Sequence, residues 1–267
     1  MPDAAGLDIT DQLIVEKDGP IGRIRFDNQA KRNAMTFEMW RDLGTVLEDF
    51  AVDDAIRVIV LSGEGGRAFC AGADISQFEK NRSSEEGVKL YNTAVEKSGD
   101  LLRNIEKPTI AKIQGPCVGG GVSIAVGCDL RLAQEGSIFA IPAAKLGLGY
   151  RIEGLKPFVD LVGPATAKEV FFTARRFSAE EAMAMGMVDR VIPRSVFDAY
   201  VDDYAHTIAA NAPMTIRAVK VCVGESVKSE PDLDLAQRVV DECFASEDYI
   251  EGRTAFMEKR TPQFKNR

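Results

Sequence analysis

Residues 114–129 read QGPCVGGGVSIAVGCD, and the reading of this stretch decides the fold. Three consecutive glycines, Gly119, Gly120 and Gly121, stand directly before an apolar run. Glycine is poor material for a helix or strand interior, so the triplet marks a junction. TIAKIQG upstream reads as a strand and VSIAVG downstream as a helix. The first backbone N–H groups of a helix lack intrahelical acceptors, and a chain without Cβ atoms lets a ligand come close to them. A second Gly/Ala-rich turn, EGGRAFCAGADI at 64–75, follows the apolar run IRVIVLSG.

Working outward, LIVEKDGPIGRIRF predicts a hairpin: Leu13–Glu16 and Ile21–Phe26 flank the turn signal Asp18-Gly19-Pro20. Thr36 is placed to cap a helix whose apolar residues Phe37, Trp40, Leu43, Leu47 and Phe50 recur at helical spacing. A polar helix is expected from Glu85 to Ile105, stopped by Lys107-Pro108, and short strands at DLRLA and SIFAI. Strand and helix alternate to about residue 140, which favours an α/β core with parallel pairing. Beyond 155 the pattern is helical, near 155–162, 164–174, 179–185, 196–210, 213–228, 232–245 and 247–260, with one strand in GMVDRVIP. No Pro/Gly/Ser-rich linker intervenes. The expected organisation is a core over residues 1–195 and a helical extension over 196–267. The lone His206 falls on one of these helices and reads as a packed or surface residue.

The 267 residues are 45% hydrophobic and 28% charged, ordinary for a globular chain of one large domain. A net charge of −8 excludes a general nucleic-acid binder, which needs a basic face, but leaves room for a phosphate-bearing ligand met by a few Lys or Arg. The five cysteines, Cys70, Cys117, Cys128, Cys222 and Cys243, form no disulfide framework and no zinc spacing. They read as reduced thiols of a cytoplasmic protein, and no metal site is expected. No signal peptide or membrane-spanning run is evident.

Two glycine-rich turns that each lie between a strand and a helix can aim two N–H groups at one point, which is an oxyanion hole. The phosphate-loop pattern GxxxxGK[ST] does not occur, and GxGxxG is absent at these turns. With DNQAKRNAM (27–35), RAFCAGADI (67–75), QGPCVGGGVSIAVGCDLRLA (114–133), FAIPAAKLGLG (139–149), LVGPATAKEVFFTARRFSAEEAMAMGMVDRVIP (161–193) and EGRTAFMEKR (251–260), the chain resembles the crotonase (enoyl-CoA hydratase/isomerase) superfamily. The resemblance runs in unbroken order from about residue 13 to the C-terminus.

This resemblance implies a spiral of ββα units followed by a helical trimerisation region, in a homotrimer or a hexamer of paired trimers. It implies an acyl-coenzyme A thioester as the ligand, with coenzyme A as part of the substrate and no separate cofactor. It assigns the oxyanion amides to Ala73 and Gly120. It sets the coenzyme phosphates near Lys31 or Arg32, and the adenine near the backbone of Ala71, Asp74 and Ile75. Phe256 and Lys259 would close over the coenzyme from a neighbouring subunit.

The resemblance fails at two positions. Family hydratases carry two glutamates that manage water and its protons. One lies three residues after the middle glycine, where this chain has Ser123; the other follows the proline of FxxPE, where this chain has Ala143. Alanine transfers no proton, and a serine hydroxyl is a poor base without an activator. Other branches place the acid/base group in the following segment, here YRIEG. Glu153 is then the candidate base, Tyr150 a donor and Arg151 a partner for a substrate carboxylate; a solvated Arg151–Glu153 pair is the competing reading. Asp129 reads as a structural hydrogen-bonding residue and Cys70 as a packing residue.

These features support an enzyme that forms or protonates a thioester enolate. Hydration of a 2-enoyl-CoA is the family default; isomerisation, decarboxylation and C–C cleavage suit the missing glutamates better. A non-catalytic acyl-CoA binder is the alternative.

Overall fold

The expected hairpin is present. In the computed structural model, which describes residues 6–77 and 84–267, β1 (Leu13–Asp18) pairs antiparallel with β2 (Ile21–Phe26) and Asp18 faces Ile21 across the turn. β3 (Val58–Gly63), β4 (Thr109–Ile113), β5 (Pro116–Val118), β6 (Leu130–Gln134), β7 (Ile138–Ala140), β8 (Phe177–Ser178) and β9 (Arg190–Ile192) follow. A six-stranded sheet runs β1-β2-β3-β4-β6-β9, parallel from β2 onward. A three-stranded sheet, β5-β7-β8, stands beside it.

The helices are α1 (Phe37–Val52), α2 (Glu85–Asn104), α3 (Gly120–Gly127), α4 (Ala143–Leu146), α5 (Ile152–Thr173), α6 (Ala179–Ala184), α7 (Phe197–Ala210), α8 (Pro213–Ser226), α9 (Leu233–Ala245) and α10 (Glu247–Glu258). Thr36 caps α1 as its sequence predicts: its side chain accepts from the Met39 amide at 3.2 Å, an interaction worth about 1 kcal/mol. The two helices read at 155–162 and 164–174 are the two arms of α5, bent at Gly163 (φ 78°, ψ 162°) where Pro164 follows. β5, β8 and α4 were not expected from sequence: β5 lies between a proline and the glycine triplet, and β8 and α4 are two and four residues long.

The period of two sorts the strands onto two cores. Ile59 and Leu61 of β3 join Phe26, Ala111 and Ile113 under α1 to α5. Val58 and Val60 point the other way, joining Ile21, Ile110 and Leu132 against Phe197, Val201 and Ala205 of α7. The Arg57 guanidinium, one residue before β3, donates to the Ala209 carbonyl at the end of α7 (3.1 Å) and to the Phe264 carbonyl (2.6 Å). Asp129 ties the far helices to the sheet. Its carboxylate accepts from the Thr109 amide (2.7 Å) and hydroxyl (2.9 Å) and pairs with Lys220 of α8 at 2.7 Å, the structural role its position predicts. No helix among the described residues is long and apolar enough to cross a membrane.

The first glycine-rich turn leaves the carboxyl end of β3, and the triplet follows β5, the short strand reached directly from the carboxyl end of β4, the parallel neighbour of β3. In open α/β sheets that is where ligands bind.

Candidate active site

The first turn is held by two single parallel bridges, one to the segment that leads into the triplet and one to Met35 ahead of α1. Cys70 donates to the Pro116 carbonyl (3.2 Å) and accepts from the Val118 amide (2.9 Å). Three residues on, Met35 donates to the Gly72 carbonyl and accepts from the Asp74 amide, both at 2.8 Å. In such a bridge the residue between the two bonded positions turns its own N–H the other way. The Ala73 N–H therefore points away from Met35, and no acceptor among the described residues takes it. The Ala73 nitrogen lies beside the start of α3, where Gly120 is the first helical residue and its N–H lies outside the intrahelical ladder.

Each glycine of the triplet has its own reason. Gly119 holds φ 52° and ψ −112°, a backbone that side chains avoid, while its amide donates to the Ala140 carbonyl at 2.9 Å. A Cβ on Gly121 would stand 2.4 Å from the Cys70 carbonyl oxygen. A Cβ on Gly120 would stand 3.7 Å from the Ala73 amide nitrogen, and one on Gly72 would stand 3.7 Å from the Gly120 nitrogen. The two amides thus border one small gap. Gly121→Ala is expected to lower stability by about 1–3 kcal/mol, because the clash is with main chain that cannot rotate aside. Denaturant unfolding measures it, and an unchanged midpoint would contradict the contact.

Cys70 is fully buried and burial pushes its thiol up to about 12, so it packs rather than attacks. Ser123 lies on the first turn of α3 with its side chain exposed and its hydroxyl without a hydrogen bond among the described residues. Ala143 is buried at the start of α4. Neither position holds an acid or base.

The coenzyme-side residues gather on one edge. Lys31 pairs with Asp74 at 2.7 Å and donates to the Ser76 hydroxyl at 2.6 Å. Burial alone would raise the Asp74 carboxyl; the hydrogen bonds from Lys31 and Ser76 outweigh it and hold the group below its ordinary value. Arg32, exposed and left-handed (φ 54°), accepts from the Ala71 amide at 3.0 Å through its carbonyl. The amides of Ala71 and Asp74 are used inside the fold, whereas Ile75 is exposed. Asn33 was not singled out from sequence, although it lies in the KRNAM motif. It is buried in a left-handed conformation and donates to the Glu64 (3.0 Å) and Ala68 (2.8 Å) carbonyls, fixing the first turn to the second strand–helix junction of the hairpin.

The YRIEG segment is not a loop throughout. Ile152 to Gly154 form the first turn of α5, where the polar side chains Arg151 and Glu153 flank unbonded helical amides. Arg151 pairs with Glu96 of α2 at 3.2 Å, not with Glu153. Glu153 is exposed. The Tyr150 ring packs edge-on against Phe171, and burial pushes its phenol up, so at neutral pH it is a donor. Phe256 is 83% exposed on α10, and Lys259 ends that helix at φ 56°. Phe256 lines a cleft of about 990 Å³ among α8, α9 and α10 whose walls include no residue of the glycine turns. His206 is exposed, its Nδ1 against the Asp202 carbonyl at 2.8 Å.

Residues 16–267 match the family model described as enoyl-CoA hydratase/isomerase. The chain is 32% identical to the short-chain-enoyl-CoA hydratase of Clostridium acetobutylicum, covering 96% of this chain and 98% of that protein. It is 30% identical to the crotonyl-CoA hydratase of Syntrophomonas wolfei, covering 95% and 98%. Its fold is similar to the crystal structure of an enoyl-CoA hydratase/carnithine racemase from Magnetospirillum magneticum, with a TM-score of 0.91 and 34% identity over 97% of each chain.

Proposed function

Because this chain belongs to the enoyl-CoA hydratase/isomerase family, we propose that it is an acyl-coenzyme A-processing enzyme that stabilises a thioester enolate between the amides of Ala73 and Gly120. The observation that carries this reading is the contact of the two turns, which sets a Gly120 Cβ position 3.7 Å from the Ala73 nitrogen. Removing a proton alpha to a thioester puts negative charge on the thioester oxygen. Two fixed N–H donors and the positive end of α3 oppose that charge without reorganising.

In this reading Lys31 and Arg32 meet the coenzyme phosphates, and the backbone at Ala71, Asp74 and Ile75 reads the adenine edge. Phe256 and Lys259 close over the coenzyme from a neighbouring subunit of a trimer or hexamer. Hydration of a 2-enoyl-CoA is the reaction carried by the names of the Clostridium and Syntrophomonas relatives. It calls for carboxylate-held water, which Ser123 and Ala143 do not supply. Double-bond isomerisation, decarboxylation and C–C cleavage need no such water, and Glu153 as base with Tyr150 as donor fits them.

A turnover screen on crotonyl-CoA, a 3-enoyl-CoA and a malonyl-type thioester separates these reactions. Glu153→Gln is expected to lower the productive turnover about 100-fold; hydration at an ordinary enzymatic rate that is indifferent to this change would remove Glu153 from the mechanism. The second reading, a non-catalytic acyl-CoA binder, draws on the buried methyl of Ala143 and the unactivated hydroxyl of Ser123. Exchange of the α-proton of bound acyl-CoA in heavy water would eliminate it.

A further inference from the structure

Trp40 is the single tryptophan of the chain and lies 3% exposed on the first turn of α1. Its Cζ2 stands 3.1 Å from the point a Cβ on Gly120 would occupy, and that same point is 3.7 Å from the Ala73 amide nitrogen. One edge of the indole therefore abuts the gap bordered by both donor amides. The indole N–H lies on that edge, two bonds from Cζ2, and has no hydrogen-bond partner among the described residues. A buried unpaired donor is unfavourable, and phenylalanine or leucine would avoid it. What those residues lack is reach, because the atom that touches the Gly120 site belongs to the second ring.

We propose that Trp40 is a positioning residue whose rigid ring edge sets the separation of the Ala73 and Gly120 amides. The inference rests on the enolate reading above and adds the residue that fixes the width of the hole. No hydrogen bond tethers the ring, so its place is set by packing with the core beneath α1, which includes Met39 and Leu43. Losing the edge lets the two turns shift together. A misplacement of about 1 Å at a reacting centre costs about 100-fold in rate.

Because the tryptophan is unique, biosynthetic replacement by an analogue alters this residue alone. The probe is butyryl-CoA: binding is read by calorimetry, and α-proton exchange in heavy water by NMR. Trp40→Phe is expected to bind butyryl-CoA within about threefold of the parent while exchange falls about 10- to 100-fold. β-(3-Benzothienyl)alanine keeps the edge and removes the N–H, and it is expected to restore exchange. 7-Methyltryptophan, which thickens the edge at Cζ2, is expected to slow exchange about tenfold or more, whereas 5-methyltryptophan on the opposite side is not. This pair decides the matter even where Trp40→Phe does not fold.

Exchange in the parent that is unchanged by Trp40→Phe and by 7-methyltryptophan would overturn the proposal. A benzothienyl form as slow as Trp40→Phe would overturn it too, by assigning the effect to the N–H. Absence of exchange in a parent that binds butyryl-CoA would instead overturn the enolate reading on which the proposal rests.

Discussion

In Gly120→Pro, α-proton exchange of a bound acyl-CoA is expected to fall about 100- to 1000-fold, the scale of one lost oxyanion donor, or about 3 kcal/mol of transition-state stabilisation. Proline has no N–H, and the first helical position is the one place where α3 does not need it. The substitution therefore removes the donor without removing an intrahelical bond. Two local costs accompany it. The new ring carries a Cβ to within 3.1 Å of Trp40 Cζ2, and Gly119 before it holds φ 52° and ψ −112°. Gly120→Ala bears the same Cβ but retains the N–H, so the difference between the two variants isolates the donor. Circular dichroism checks that both fold. Exchange in the proline variant at the rate of the alanine variant would end the assignment of Gly120 as a donor.

Installing carboxylates at Ser123 and Ala143 is the complementary experiment, a gain of activity. Both positions lie in the first turn of a helix, Ser123 in α3 and Ala143 in α4, where a negative side chain is favoured by the helix dipole. Ser123 is exposed and accepts a longer side chain readily; Ala143 is buried, so its replacement must displace neighbours. The double variant Ser123→Glu, Ala143→Glu is expected to raise crotonyl-CoA hydration about 100- to 10,000-fold over the parent, the usual contribution of positioned acids and bases. Each single variant should fall short of the pair, because water must be both held and deprotonated. A double variant that folds, binds and hydrates no faster than the parent would show that the two absent carboxylates do not limit hydration.

Much of this architecture was legible in the sequence because periodicity survives wherever an element is long. The unbroken apolar run of Val58, Ile59, Val60 and Leu61, read as a buried strand, and the helical spacing of Trp40, Leu43, Leu47 and Phe50 both match the burial observed. β5 escaped because it begins at a proline and runs straight into the glycine triplet, and β8 because it has only two residues. Asp129 and Cys70 were readable as structural residues from their neighbours. The Lys31–Asp74 pair was not, because it joins two turns 43 residues apart. Trp40 shows the same limit more sharply. Its helical spacing announced only burial, and nothing in a linear reading says which buried residue will lie against the glycine triplet.

The grip of Arg57 has a consequence for the order in which the molecule is made. Its two acceptors, the carbonyls of Ala209 and Phe264, lie 152 and 207 residues downstream. Arg23 likewise pairs with Asp202, 179 residues away. During synthesis at about 5–20 residues per second, the face of β2 and β3 that α7 covers stays open for about 7–30 s after β3 is made. Ile21, Val58 and Val60 on that face are apolar, so the nascent chain carries an uncovered apolar surface until α7 arrives, and the last of the closure awaits the final residues.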